Sequence, residues 1–160
     1  MKIKKGLSEK NIKQLINFAN NDELVRRFTS DQKRFRDRES FEKWLEKNRK
    51  VYSLVDKEDN LRGISWFGQE GEGFTLALRI YSEARGKGLA FGFLKKTMED
   101  FMTEPEYRNA KNKEWWLETL EENVAAIKIY EKLGFELVKK GESVGKLIFR
   151  RHRDFEFGKK

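Results

Sequence analysis

The stretch Arg85-Gly86-Lys87-Gly88-Leu89-Ala90 joins an alternating apolar segment to a helical one, and the fold turns on how it is read. On its N-terminal side Phe74, Leu76, Leu78 and Ile80 alternate with Thr75, Ala77, Arg79 and Tyr81, the period of a strand with one apolar face. On its C-terminal side Leu89, Phe93, Leu94, Met98, Phe101 and Met102 recur at helical spacing. A strand, a glycine-containing loop and a helix make an anion site for a physical reason. Gly86 and Gly88 allow positive φ and close approach, so successive N–H groups can turn toward one phosphate. The helix start adds unpaired N–H groups and its positive dipole end, completing a nest for a pyrophosphate. The same Gly-x-Gly is also a common way to turn a chain. It is not a Walker loop, which needs Gly-x-x-x-x-Gly-Lys-Ser/Thr, nor the dinucleotide Gly-x-Gly-x-x-Gly, because Phe91 stands where the last glycine would be. Nucleoside triphosphate and NAD readings are weakened accordingly.

Working outward, residues 51–56, 61–68 and 74–81 are short runs rich in Val, Ile, Leu and aromatics, separated by Lys57-Glu58-Asp59-Asn60 and Gln69-Glu70-Gly71-Glu72-Gly73. Three antiparallel strands joined by two hairpins follow. Upstream, residues 2–7 read as a first strand, and Ser8 offers an N-cap to a helix with Ile12, Leu15, Ile16 and Phe18 in helical period. A second helix begins near Asp37 or Ser40, with Phe41, Trp44 and Leu45 as its buried face. Downstream, residues 103–114 read as a long connection around Pro105, and residues 114–119 as a strand. Residues 123–133 read as a helix stopped by Gly134, and residues 135–139 and 146–151 as two last strands.

The 160 residues are near the size of one domain, which at that length buries roughly 70% of the surface of its unfolded chain, and residues 1–160 are read as a single domain. Thirteen Phe and four Trp provide a core despite 39% charged residues. With no Cys and the single His152, a disulfide, a thiolate metal site, a Cys nucleophile and a His cluster for zinc are excluded. The basic start Met1-Lys2-Ile3-Lys4-Lys5 has no apolar run behind it, and no segment approaches membrane-spanning length, so a cytoplasmic protein without a membrane partner is expected. The net charge of +8 is concentrated, with ten basic against five acidic residues between Arg26 and Lys50 and eight against three between Lys139 and Lys160. Glu39, Lys43, Glu46 and Lys50 stand at helical spacing, which marks a solvated helix face.

Arg85-x-x-Gly88-x-Ala90 resembles the Arg/Gln-x-x-Gly-x-Gly/Ala signature of the GNAT acyltransferases. A second block, Asn123-Val124-Ala125-Ala126-Ile127-Lys128-Ile129-Tyr130-Glu131-Lys132-Leu133-Gly134-Phe135, is similar to that family's Asn-x-x-Ala-x-x-x-Tyr-x-x-x-Gly-Phe pattern. Both occur in the family's order, and the elements from Lys2 to Arg151 fit its topology. The resemblance implies an α/β fold with a mixed, mostly antiparallel sheet of six to seven strands flanked by about four helices. It also implies transfer of acetyl from acetyl-CoA, as cosubstrate and without a metal, to a primary amine, in a monomer or homodimer. By the same resemblance, the amides of Arg85, Gly86, Lys87, Gly88, Leu89 and Ala90 bind the CoA pyrophosphate. Leu78, Arg79 and Ile80 run beside pantetheine, Asn123 contacts it, and Tyr130 stands near the sulfur. Parting of the preceding strand from the next opens the cleft. Tyr81 and Ser82 depart from the family's Val-x-Pro lead-in, which leaves the turn itself undetermined.

Acyl transfer to an amine further needs a base. Glu72, ahead of the fourth strand, and Glu118, on the adjacent strand, are the candidates, and both also read as surface carboxylates. Asn123 reads equally as an N-cap and Tyr130 as a core tyrosine. Two other functions stay open. One is a CoA-binding regulator without chemistry. The other is a nucleic-acid module using the basic stretches, with Phe28, Phe35, Phe149 and Phe155 as stacking groups. The acceptor is expected over residues 20–38 and 141–145, where Arg26, Arg27, Arg34 and Arg36 suit a carboxylate or phosphate and equally suit a charged surface.

Overall fold

The computed structural model describes residues 1–47, 49–71, 73–142 and 145–151. After β1 (Lys2–Lys5), the Ser8 hydroxyl accepts from the Asn11 amide while the Asn11 side chain accepts from Ser8 N–H, a reciprocal cap that starts α1 (Glu9–Asn21). Asp22 caps α2 (Glu23–Phe28), and a single turn, α3 (Asp31–Arg34), leads to α4 (Arg38–Leu45), capped by Asp37. Phe41 and Trp44 are buried as expected. Leu45, about 100° round the helix from Trp44 at its last residue, is exposed instead.

Strands β2 (Lys50–Val55), β3 (Leu61–Glu70) and β4 (Gly73–Ile80) form the two hairpins read from the sequence. A short 3-10 turn, Ser82–Ala84, precedes α5 (Ala90–Phe101). Pro105 sits in the first turn of α6 (Pro105–Arg108), inside the stretch read as a connection. Then come β5 (Trp115–Leu120), α7 (Val124–Lys132), β6 (Glu136–Lys140) and β7 (Lys146–Arg151). Gly134, at φ +91°, ends α7, and the Phe135 N–H returns to the Tyr130 carbonyl at 3.0 Å.

The strands form one sheet in the order β1-β2-β3-β4-β5-β7-β6, antiparallel except where β4 meets β5. Apolar side chains gather on both of its faces. One cluster packs α5, α6 and α7 on the sheet through Phe74, Phe101, Tyr107, Trp115 and Leu133. The other packs α1 to α4 through Leu15, Phe35, Phe41, Trp44 and Trp66. In the second cluster Phe35 and Trp66 both meet Trp44 edge-on, with centroids 4.8 and 5.0 Å away. Phe35 and Phe149, two of the proposed stacking groups, are core residues with 0% and 2% of their surface exposed, and Phe155 lies outside the described residues. Among the described residues no helix is long and apolar enough to cross a membrane.

Candidate active site

The site begins where the sheet comes apart. Strands β4 and β5 share a single register pair, Phe74 with Trp115, closed by a 2.9 Å bond from the Phe74 N–H to the Glu114 carbonyl. Gly73 permits that contact, because a Cβ there would lie 2.6 Å from the Glu114 carbonyl oxygen. Beyond it the strands diverge. Phe74 N–H faces β5, so alternation along β4 turns the main-chain groups of Leu76, Leu78 and Ile80 toward the same gap. Those of Arg79 face β3, as does the Tyr81 N–H bonded to Arg62.

A cleft of about 910 Å³ occupies the gap. Leu76, Leu78 and Ile80 wall it on one face of the sheet, and Thr75, Ala77 and Arg79 on the other, so it opens through the sheet. Glu118 and Leu120 stand on the β5 side, and Asn123 and Tyr130 reach it from α7. Arg85 and Ala90 wall it at the loop end, while between them Gly86, Lys87 and Gly88 make an exposed turn and Leu89 packs on the core, none of the four entering the wall. Gly86 and Gly88 hold φ of +75° and +71°, the left-handed region that the anion-nest argument required. A Cβ at either would meet nothing within 4 Å, so backbone conformation and not crowding within the protein explains the glycines.

Helix ends support the same use of the cleft. Ser8, Asp22 and Asp37 cap α1, α2 and α4, whereas α5 and α7, which both start at the cleft, have no side-chain cap, like the single-turn α3 and α6. Asn123 stands at the N-cap position of α7, as its residue type suggested, but its side chain makes no capping bond there and lines the cleft. At the start of α7 the Val124 N–H is taken by the Glu122 carbonyl at 2.9 Å, whereas among the described residues no side chain caps the first N–H groups of α5.

Tyr130 is buried with its ring 6.1 Å from Phe135. Burial raises its phenol above the ordinary range, with Arg79 pulling in the other direction, so it remains a proton donor at neutral pH. Arg79 sends two bonds, 2.7 and 3.0 Å, to the Asp31 carboxylate and a third to the Leu78 carbonyl. Burial works against the Asp31 charge, but Arg79 and Arg34 outweigh it and hold the carboxyl below its usual range. Arg85 is tied to Asp22 at 2.8 Å, and Asp22 Oδ1 also accepts from the Leu24 and Val25 amides. Asp22 Oδ2 and the Tyr81 hydroxyl are buried and have no hydrogen-bond partner among the described residues. Glu118 pairs with Lys146 at 3.2 Å, and Glu72 lies outside the described residues.

The Asp22–Arg85 and Asp31–Arg79 pairs were not read from the sequence. Arg79 had left a signal there, a cation on the polar side of an otherwise apolar strand. Among the described residues no group of three or more His, Asp or Glu could hold a metal ion.

Solved structures share this fold. A protein from Bacillus halodurans superposes with a TM-score of 0.75 at 15% identity, over 95% of this chain and 83% of its own. Ribosomal-protein-alanine N-acetyltransferase from Brucella melitensis gives 0.69 at 17% identity, over 95% and 99%. A variant spermidine N-acetyltransferase from Vibrio cholerae gives 0.68 at 17%, over 95% of each chain. No curated protein sequence matches the chain. These likenesses establish the fold. The acetyltransferase (GNAT) domain model matches residues 5–136, and the chain belongs to the GNAT acetyltransferase family.

Proposed function

We propose that the protein transfers acetyl from acetyl-CoA directly to a primary amine of a small molecule or peptide. The observation that carries the reading is the parting of β4 from β5 at Phe74 and Trp115, with two uncapped helix starts and the free edge of Leu76 and Leu78 along one cleft. Amides of residues 85–90 and the start of α5 would hold the pyrophosphate. The edge of β4 and the Asn123 side chain would hold pantetheine. No cation is needed, since N–H groups supply the positive field.

The amine nitrogen attacks the thioester carbonyl, the C–S bond breaks, and an amide and a thiol result. The proton the amine loses balances the one the thiol gains. A Leu76 or Leu78 N–H can polarise the carbonyl oxygen, and Tyr130, kept protonated by burial, can give its proton to the sulfur. Glu118, on the cleft wall and held by Lys146, is a candidate to receive the amine proton directly or through water, and Glu72 is the other. An acyltransferase fits the wall better than a binding regulator, because a regulator has no use for a cleft that crosses the sheet to a second, polar chamber.

The test is release of free thiol from acetyl-CoA in the presence of a panel of amines, with the acetylated product identified by mass. Thiol release that depends on the amine supports the reading. Tight acetyl-CoA binding without turnover of any amine would favour the regulator.

A further inference from the structure

We propose that the acceptor is a small amine carrying a carboxylate or phosphate, held by Arg34 and Arg49 beside Trp66, and that cationic amines are rejected; this rests on the acyltransferase reading above. The chamber beyond the split, on the α1–α4 face, is walled by Arg34, Arg49, Lys47, Trp66 and Arg79. Of the four arginines noted in the sequence, Arg27 and Arg34 reach the wall, while Arg26 and Arg36 point to solvent away from it.

Charge in this chamber is not balanced. The buried Asp31 carboxylate binds both Arg79 and Arg34, at 2.7 and 3.0 Å, so one anion answers two guanidinium groups. Arg49 lies over the Trp44 ring at 4.9 Å and donates to the Trp44 carbonyl at 2.7 Å. No carboxylate forms an ion pair with it among the described residues. Wall carboxylates elsewhere are already used, Glu118 by Lys146 at 3.2 Å and Glu122 by Arg27 at 3.4 Å. Glu70 is the remaining one, and its charge acts on Arg49 without a direct pair. The chamber therefore keeps an excess of positive charge on half-buried groups.

Guanidinium groups present paired N–H donors that match carboxylate and phosphate oxygens. Arg34 and Arg79 both lie against the Trp66 ring, at 5.9 and 5.0 Å, which fixes their planes and leaves little freedom to lose on binding. An acceptor with a second ammonium would place a like charge in the same partly desolvated space, which discriminates against it.

The experiment compares kcat/KM for four amines of similar length: γ-aminobutyrate, aminopropyl phosphate, n-butylamine and putrescine. The expected order is anionic over neutral over cationic, with a preference for the better anion over n-butylamine of about 10- to 100-fold, as charge-assisted hydrogen bonds give. Which anion is better separates carboxylate from phosphate. Arg49→Gln keeps a donor for the Trp44 carbonyl and removes the charge, so it should narrow that preference about tenfold or more. Arg34→Gln should narrow it as well, and circular dichroism checks that each variant is folded. Putrescine equal to or better than the anions, or a preference untouched in both folded variants, overturns the proposal and leaves the acyltransferase reading standing. A protein that acetylates none of the four overturns this proposal, and amine-dependent thiol release over the wider panel then decides the acyltransferase reading separately.

Discussion

Tyr130 and Asn123 are seven residues apart, about 700° of helix rotation, and both reach the cleft from one face of α7. Removing only the hydroxyl, in Tyr130→Phe, should lower kcat by about 10² to 10⁴ with little change in acetyl-CoA affinity. A fall below about fivefold would take the acid role from this residue and assign the proton to water. At the loop, Gly88 stands at φ +71° with open space around it, so the cost of Gly88→Val is conformational: a β-branched residue resists that region and would turn the N–H groups away. Lys87 is an exposed charge worth about 1 kcal/mol or less. Isothermal titration with acetyl-CoA should therefore show a larger loss for Gly88→Val than for Lys87→Ala, and the opposite ranking would discard the nest. For Asp31 the folded carboxyl titrates below its unfolded value of about 3.9. Its stabilising contribution is then present above that pH and is lost as pH falls through the folded pKa. Asp31→Asn should cost roughly 3–5 kcal/mol at neutral pH by leaving Arg79 without its counter-charge. Urea melts should show the gap to the parent protein closing below about pH 4.

Among the elements, α2 links the two ends of the cleft: Asp22 caps it and holds Arg85 at the start of the glycine loop, and the helix then supplies Leu24, Val25 and Arg27 to the cleft wall. Asp22→Ala removes cap and tether together and should cost about 1 kcal/mol or more in stability. Asp22→Asn keeps a capping oxygen and weakens only the tether. Thermal melts should rank Ala as the more damaging. If the tether positions the loop, both variants should weaken acetyl-CoA binding, and unchanged binding in both would limit Asp22 to capping. Neither α2 nor α3 could be read from the sequence, because six and four residues are too few for a helical period to repeat. The same limit hid α6, although Pro105 at its start was a signal. By contrast β4, α5 and α7 were legible because each carries its apolar side chains at the period of its element, and α7 in addition stops at Gly134. The loop and the α7 block were legible for the same reason that their chemistry is local. Asp31 with Arg79 joins residues 48 apart, and nothing in either neighbourhood announces the other.

For the molecule as a whole, ligand binding to the folded state alone stabilises by about 2.7 kcal/mol at a hundredfold excess over Kd. Acetyl-CoA should raise the melting temperature clearly, and a chelator should leave that rise intact. A rise that required magnesium would contradict a site built from N–H groups. The sheet follows from backbone pattern, while the chamber on the α1–α4 face is assembled from α2, α3, the α4–β2 connection, β3 and β4, segments whose meeting only the tertiary fold decides. The split at Phe74 and Trp115 has one more consequence, in the time domain of proton exchange. Strands β1 to β4 and β5 to β7 are each continuously laddered, yet almost no rungs connect the two halves. The Leu76 and Leu78 amides, central in the sheet, should therefore trade hydrogen for deuterium like those of an edge strand, far faster than the Arg79 amide beside them. A bound pantetheine chain would serve as the missing neighbouring strand and slow them selectively.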